Sequence, residues 1–229
     1  KKFDLEVASA IALPQYKARW ITRAVPGHMT DEEILTLPGW REDEAGRKAD
    51  IAEAKRLMAE AGYPDGFHIK AVGNNTPAGG EVRGVAWLQQ AEDILGITSD
   101  LEIIERGLEG EILVGGEWDV AFLTGTGSDV ADPTAQWNGI FRCGADGNYY
   151  KYCNPEFDIL LDNLLVEFDA AERVKLLRQA MDMLDENPPG YMVNGQSGLP
   201  MGGIHVKGLR LEDLGGYPWG RYETVWLDY

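Results

Sequence analysis

Cysteine, histidine and positive charge are scarce in this sequence. Its 229 residues hold two cysteines, three histidines, and 21 lysines plus arginines against 38 aspartates plus glutamates. His28, His68 and His205 are scattered, and none stands with Cys, Asp or Glu at metal-ligand spacing. No metal site and no cofactor are therefore expected. The net charge of −17 argues against nucleic acid and against anionic membrane surfaces, because both repel such a chain. Most of the acids serve solubility, and the balance slightly favours a cationic or neutral ligand. No apolar run reaches the ~18 residues needed to cross a bilayer, so direct membrane insertion is not expected. Lys1-Lys2 leads into Phe3-Asp4-Leu5-Glu6, which lacks the apolar core of a signal peptide. The chain is expected to be cytosolic, or a mature or trimmed exported protein.

Catalytic signatures are missing too. Gly125-Thr126-Gly127 has neither the third glycine nor the Lys-Ser/Thr of a phosphate loop. Ser128 and Ser197 lack the context of a nucleophile elbow. Acidic pairs are frequent, but frequency alone does not make a hydrolase. The chain is therefore expected not to be an enzyme. A carboxylate-dependent hydrolase and a stand-alone interaction module stay as rival readings.

What is present is a substantial core. The apolar fraction is 44% and the aromatic fraction 10%, which excludes wholesale disorder. Residues 1–29 read as an extended arm with one short helical turn at Tyr16 to Arg23, because Pro14 and Pro26-Gly27 break any longer helix. Thr30 to Leu37 predicts a short helix. Ile51 to Ala61 predicts another, capped by Asp50 with Glu53, with its apolar stripe on Ile51, Ala54, Leu57, Met58 and Ala61. Strands are expected at Phe67–Val72 and around Leu101–Ile104, and helices at Glu81–Leu95 and Leu108–Val114. Val82, Val85, Ala86 and Leu88 are placed on the core side of the Glu81–Leu95 helix. This alternation predicts an α/β fold with a mixed, mostly parallel sheet and helices on both faces.

The stretch Trp118 to Cys153 organises the rest. Val120 to Leu123 is an unbroken apolar run, the mark of a strand covered on both faces. If that strand is central, Asp129 lies just beyond its carboxyl end, where open α/β sheets bind ligands. Asp132-Pro133 then signals a turn, and Asp132 is read as structural. Trp137, Tyr149, Tyr150 and Tyr152 gather in the following loop. They fit either a ligand face, with Trp137 and Tyr149 as contacts, or the loop's own core. Trp118, Trp219 and Trp226 are assigned to the core. Cys143 and Cys153 sit ten apart in a polar, glycine-containing loop. A disulfide suits that setting better than buried thiols or zinc, and it places the protein outside the cytosol.

Downstream, Asn154-Pro155 opens a helix carrying Phe157, Leu160, Leu161, Leu164 and Leu165. Asp169 opens another, with Val174, Leu177, Met181 and Leu184 on its stripe and Pro188-Pro189 as its stop. Short strands are expected at Tyr191–Asn194 and Tyr222–Leu227.

LPGW at 37–40, MAEAGYPDGF at 58–67, LGI at 95–97, WDVAFLTGTGSDVADP from 118, CNPEFDILLDNLL from 153 and VKGLR at 206–210 form an ordered set. In this order they resemble the extracellular solute-binding proteins of peptide and nickel ABC importers. The resemblance implies a two-lobed family in which residues 30–229 correspond to the second lobe, without the large first lobe. It implies capture of peptides or similar cationic or zwitterionic solutes, delivered to a membrane ABC permease in a complete form, in the periplasm or outside the cell. An acid three positions before the Asp-Pro pair holds a peptide's amino terminus in relatives, and Asp129 matches it. The family's cysteine pair matches Cys143 and Cys153. Thr126 stands where peptide-binding relatives often carry an aromatic.

Overall fold

The structure is a computed structural model that describes residues 15–16, 19–21, 23, 25–76, 79–122, 132–190, 195–196, 206–207 and 226–227. Its strands are β1 (Gln15–Tyr16), β2 (His68–Asn74), β3 (Thr98–Ile104), β4 (Val120–Phe122), β5 (Gly195–Gln196), β6 (Val206–Lys207) and β7 (Trp226–Leu227). Its α-helices are α1 (Asp31–Ile34), α2 (Glu44–Glu60), α3 (Val85–Leu95), α4 (Glu109–Gly115), α5 (Thr134–Ile140), α6 (Pro155–Val166) and α7 (Ala170–Glu186). The chain divides into two compact units, one within Glu32–Thr126 and the other drawn from Leu13–Asp31 and Gly127–Tyr229.

The first unit is built on a parallel sheet in the order β3-β2-β4. The expected α/β alternation is present. Ala71 to Asn74 of β2 are all buried, so the central strand is covered on both faces. β3 follows β2 through α3, and β4 then returns through α4 to the far side of β2. Right-handed crossovers running in opposite directions put their two helices on opposite faces.

The strand expected to be central, Val120 to Leu123, is not central among the described residues. β4 covers Val120–Phe122, lies at an edge, and is only half-buried. The reason is topological, because the returning crossover makes β2 the middle strand.

Helix α2 also differs from expectation. It starts at Glu44, with Asp43 as its cap, accepting from the Gly46 amide at 2.7 Å. Asp50 instead accepts from the Gly39 amide at 2.9 Å and pairs with Arg41 at 3.1 Å. The predicted stripe is not buried, since Ile51 is 37% and Leu57 51% exposed. The helix ends as predicted at Gly62, whose φ of +91° suits glycine. Its amide reaches Ala59 O at 3.1 Å, and the Tyr63 amide reaches Met58 O at 2.8 Å, satisfying the last carbonyls.

The predicted helix Glu81–Leu95 is in two parts. Gly80–Gly84 winds as a π-helical turn and α3 follows. The wider turn lets Gly80 press on Gly73 and Gly84 on Phe122, where an added Cβ would meet heavy atoms at 2.7 and 3.0 Å. Leu88 and Ala91 are buried, whereas Val82 and Val85 are exposed.

The second unit is helical with short antiparallel pairs β1–β5 and β6–β7. Asn154 caps α6 through the Glu156 amide at 3.0 Å and the Phe157 amide at 3.4 Å, with Pro155 in the first turn. Asp169 caps α7 through the Ala171 and Glu172 amides at 3.0 Å. Phe157, Leu160, Leu161 and Leu164 pack against Leu177, Ala180, Met181 and Leu184, with Trp20, Ile21 and Val25 from the arm. Leu165, placed on the stripe from sequence, is exposed. The expected helical turn at Tyr16–Arg23 is absent among the described residues. Gln15–Tyr16 is extended, Arg19 bridges Ile21, and buried Trp20 takes φ of 59°. Trp118 is half-buried and Trp226 is exposed, so neither is a core residue as assigned. Trp219 and the strand expected at Tyr191–Asn194 lie outside the described residues.

Candidate functional site

A sheet ordered β3-β2-β4 has a topological switch point between β2 and β4, because the first crossover runs from β2 to β3 on one side and the second returns from β3 to β4 on the other. Crevices at the carboxyl ends of such strands are where open α/β sheets bind ligands. The edge position of β4 removes the buried central strand as the ground for Asp129, and the switch point is a separate feature of the same sheet. Asp129 itself lies outside the described residues, as do Gly125, Thr126 and Gly127.

On the sheet side, the corner is built from small and polar residues. Asn74 ends β2 fully buried, and its amide nitrogen donates to Glu109 in the first turn of α4. Thr76 Oγ1 donates to Asn74 Oδ1 at 2.6 Å and accepts from the Gly79 amide at 3.1 Å. The Asn75 amide reaches Ile104 O at 2.9 Å, tying the turn to β3. At the end of β4, the Phe122 ring lies 5.6 Å from that of Trp87. Arg83 sits one turn before Trp87, and burial lowers its affinity for its proton.

In the second unit, the residues that follow the Asp129 segment are anchored. Asp132 Oδ1 accepts from the Thr134 amide at 2.8 Å, and Oδ2 pairs with Arg173. Arg173 also donates to Leu164 O, to Glu167 O at 2.8 Å and to Thr134 Oγ1 at 3.4 Å. One guanidinium thus satisfies carbonyls at the end of α6 and holds the Asp-Pro turn. The structural reading of Asp132 holds. Arg173 was not singled out from sequence, because nothing local marks an arginine that bonds across 41 positions.

Cys143 and Cys153 form the expected disulfide, with Cα atoms 4.5 Å apart. Asn148 holds the same loop from inside. It donates to Arg142 O at 3.0 Å and Tyr152 O at 2.6 Å, and accepts from the Tyr152 amide at 3.2 Å. The Cys143 amide donates to Asp158 Oδ1 at 3.2 Å. Three of the four aromatics are packed. Trp137 is 2% exposed and packs at 6.1 Å on Phe157. Tyr150 and Tyr152 lie 5.8 and 6.1 Å from Phe141, and burial raises the pKa of both phenols. Those three serve the loop's own core, and Tyr149 is half-exposed.

Among the described residues, no group of three His, Cys, Asp or Glu could hold a metal ion. Nor is any helix there long and apolar enough to cross a membrane. Ser128, Ser197 and His205 lie outside the described residues. His28 Nδ1 lies 3.0 Å from Val25 O, and His68 lies between Thr98 and Asp100.

No family model matches the chain. A dipeptide-binding protein of Escherichia coli K12 is 27% identical over 221 residues, covering 93% of this chain and 41% of that protein. Di/tripeptide-binding protein 1 of Pseudomonas aeruginosa is 31% identical over 198 residues, covering 82% of this chain and 37% of that protein. The ABC transporter-associated periplasmic binding protein DppA of Helicobacter pylori, solved with the peptide STSA, superposes with a TM-score of 0.70 at 19% identity. That match covers 99% of this chain and 42% of that one. Other relatives of this chain include the peptide transport periplasmic protein SapA of Salmonella typhimurium, 28% identical over 96 residues, and the haem-binding protein A of Haemophilus influenzae, 28% identical over 170 residues. The chain spans 41% and 37% of the first two curated relatives. The relatives are named as binding or transport proteins and none as an enzyme, and the periplasmic setting printed for SapA and DppA agrees with the disulfide.

Proposed function

We propose that residues 30–229 serve as one lobe of a peptide-capturing protein for ABC import, preceded by an arm at residues 1–29. In this reading Asp129 anchors the ligand's amino terminus. The observation that carries it is the β2–β4 switch point, whose last strand leads directly into the segment bearing Asp129. The relationship to dipeptide- and di/tripeptide-binding proteins supports the ligand class. Asp132 is committed to Arg173 and the turn, so the anchoring role falls to the other acid before the proline. Of the aromatics proposed as contacts, Tyr149 is better placed than Trp137, whose ring is buried. Delivery would be to a membrane permease, and no catalysis is proposed.

An ammonium paired with one carboxylate gains little in water, about 1 kcal/mol at most. Closure of a second lobe would exclude that water. The chain alone should therefore bind short peptides only weakly. In a two-lobed form, Asp129→Asn should weaken a peptide with a free amino terminus by about 2–5 kcal/mol, as loss of one partner of a buried charge pair does. An N-acetylated peptide of the same length should be little affected. Equal losses for the two in calorimetry would show that Asp129 supports its loop and holds no charge.

A further inference from the structure

Large apolar side chains gathered at one exposed place mark interaction surfaces, whereas scattered ones are ordinary. Helix α6 buries Phe157, Leu160, Leu161 and Leu164 and turns Ile159 and Val166 the other way. Residues seven apart lie on one line of a helix. These two, 61% and 70% exposed, therefore form a single outer strip. Leu165, 55% exposed, flanks Val166, and Phe168, 90% exposed, follows just past the end of the helix.

Phe168 does not sit on a loose corner. The Glu167 amide donates to Asn163 O at 3.0 Å, and Arg173 donates to Glu167 O at 2.8 Å. The Asp169 amide donates to Glu167 Oε1 at 2.7 Å, and Asp169 Oδ1 caps α7. The backbone on both sides of Phe168 is thus hydrogen-bonded while its ring stands out in water. An aromatic ring displayed on a fixed backbone loses little freedom on binding.

The charge around the strip has one sign. Residues 152–172 carry six aspartates and glutamates and no lysine, arginine or histidine. Arg142 reaches Asp162 at 2.7 Å and Lys175 reaches Glu172 at 2.6 Å, which leaves the acids in excess. This charge selects among occupants. A second copy related by a twofold axis would set acids on acids, and an anionic membrane would be repelled. A partner with an apolar centre and basic charge around it complements both features.

We propose that the outer face of α6, with Phe168 at its end, docks a basic amphipathic helix of a protein partner. Ile159, Val166 and Phe168 meet the partner's apolar stripe, and the acids around them meet its lysines and arginines. Four side chains fall well short of the roughly 20–30 residues a side of a stable interface, so the contact is transient. The inference does not depend on which ligand the protein captures.

The probe is a helical peptide of leucine and lysine at amphipathic spacing, acetylated and amidated at its ends, added to the 229-residue chain. Amide NMR should show saturable shifts at Ile159, Leu165, Val166 and Phe168, and their absence would overturn the proposal. Val166→Ala with Phe168→Ala should weaken binding about tenfold, as loss of an aromatic anchor does. Val114→Ala should leave it unchanged, although Val114 is 72% exposed on α4, a helix with acids in its first turn. An equal loss in Val114→Ala, or equal binding of a scrambled peptide of the same composition, would overturn the proposal in favour of charge attraction alone. Excess dialanine should not displace the peptide. Displacement would put the peptide in a capture site, overturning the docking face and leaving peptide capture standing. Sedimentation should be the same for the unaltered chain and Phe168→Ala. A dimer that this substitution dissolves would overturn the proposal in favour of a second copy. If the paired variant does not fold, the shifts in the unaltered chain and the scrambled peptide still decide.

Discussion

Replacing Arg173 with methionine keeps most of the side chain's apolar stem and removes the guanidinium that joins three structures. The loss can be worked from its contacts. Two bonds go to carbonyls at the end of α6, those of Leu164 and Glu167. A hydrogen bond from a charged donor is worth about 1.5–3 kcal/mol when buried. Arg173 is 23% exposed, so water recovers part of each bond in the variant. The pair with Asp132 adds less, because that carboxylate is 41% exposed and a pair so placed gives at most about 1 kcal/mol. A total of about 2–3 kcal/mol is expected. With a urea slope of about 2–3 kcal/mol per M, the unfolding midpoint should fall by about 1 M. Asp132→Asn should cost less than Arg173→Met, since the amide oxygen can still accept from the Thr134 N–H and Arg173 keeps its carbonyls. A midpoint unchanged in Arg173→Met, or a larger loss in Asp132→Asn, would refute the anchoring role.

The two faces of α6 should respond differently to truncation. Leu161→Ala should cost about 2–5 kcal/mol, and Leu165→Ala should stay within about 0.5 kcal/mol in the same urea titration. Under denaturing, non-reducing conditions the protein should show no titratable thiol. Cys143→Ser with Cys153→Ser should lower stability by about 2–3 kcal/mol, while the Asn148 bonds should preserve the loop's amide chemical shifts. Burial raises the Tyr150 pKa above its ordinary value near 10, so the folded state keeps that proton where the unfolded chain releases it. The stability it contributes is complete below the unfolded pKa and is lost as pH rises through the folded one. Absorbance at alkaline pH should show a late-ionising phenol in the native protein that is missing from Tyr150→Phe.

Where structure follows from neighbours in sequence, the sequence was readable. Asn154-Pro155 and Asp169 cap their helices through amides two and three residues away, which is as local as a signal can be. The start of α2 shows the limit of such signals. Asp43 and Asp50 both precede good helix formers, and Gly46 weakens the case for a helix through the first turn. In the folded chain that glycine gives Asp43 room to cap, because a Cβ there would meet the Asp43 carboxylate at 2.6 Å. The order of the sheet lay beyond local reading. The run Val120 to Phe122 is apolar enough for a middle strand, but which strand is central depends on pairings between residues about fifty apart, such as Ala71 with Val120. The surroundings of the candidate site were legible in part. The Asp-Pro turn and the cysteine pair were marked by local sequence. The roles of Arg173 and Asn148 depend on partners that only the fold reveals.

The unequal lengths of the two ladders carry a consequence for the order of events. β2 and β3 align over seven positions and are linked by a single intervening helix, so their pairing closes a short loop. Among the described residues β4 aligns with β2 over three positions, and it must wait for a longer stretch of chain. Loop closure favours the nearer partner, so β2–β3 should assemble first and β4 should dock last. What docks last on few bonds also opens most cheaply. Amide protons of Val120 to Phe122 should exchange well before those of Ile69 to Val72, through an opening short of global unfolding. A ligand that grips the residues just after β4 would slow that exchange and so draw part of its effect from securing the weakest seam of the sheet.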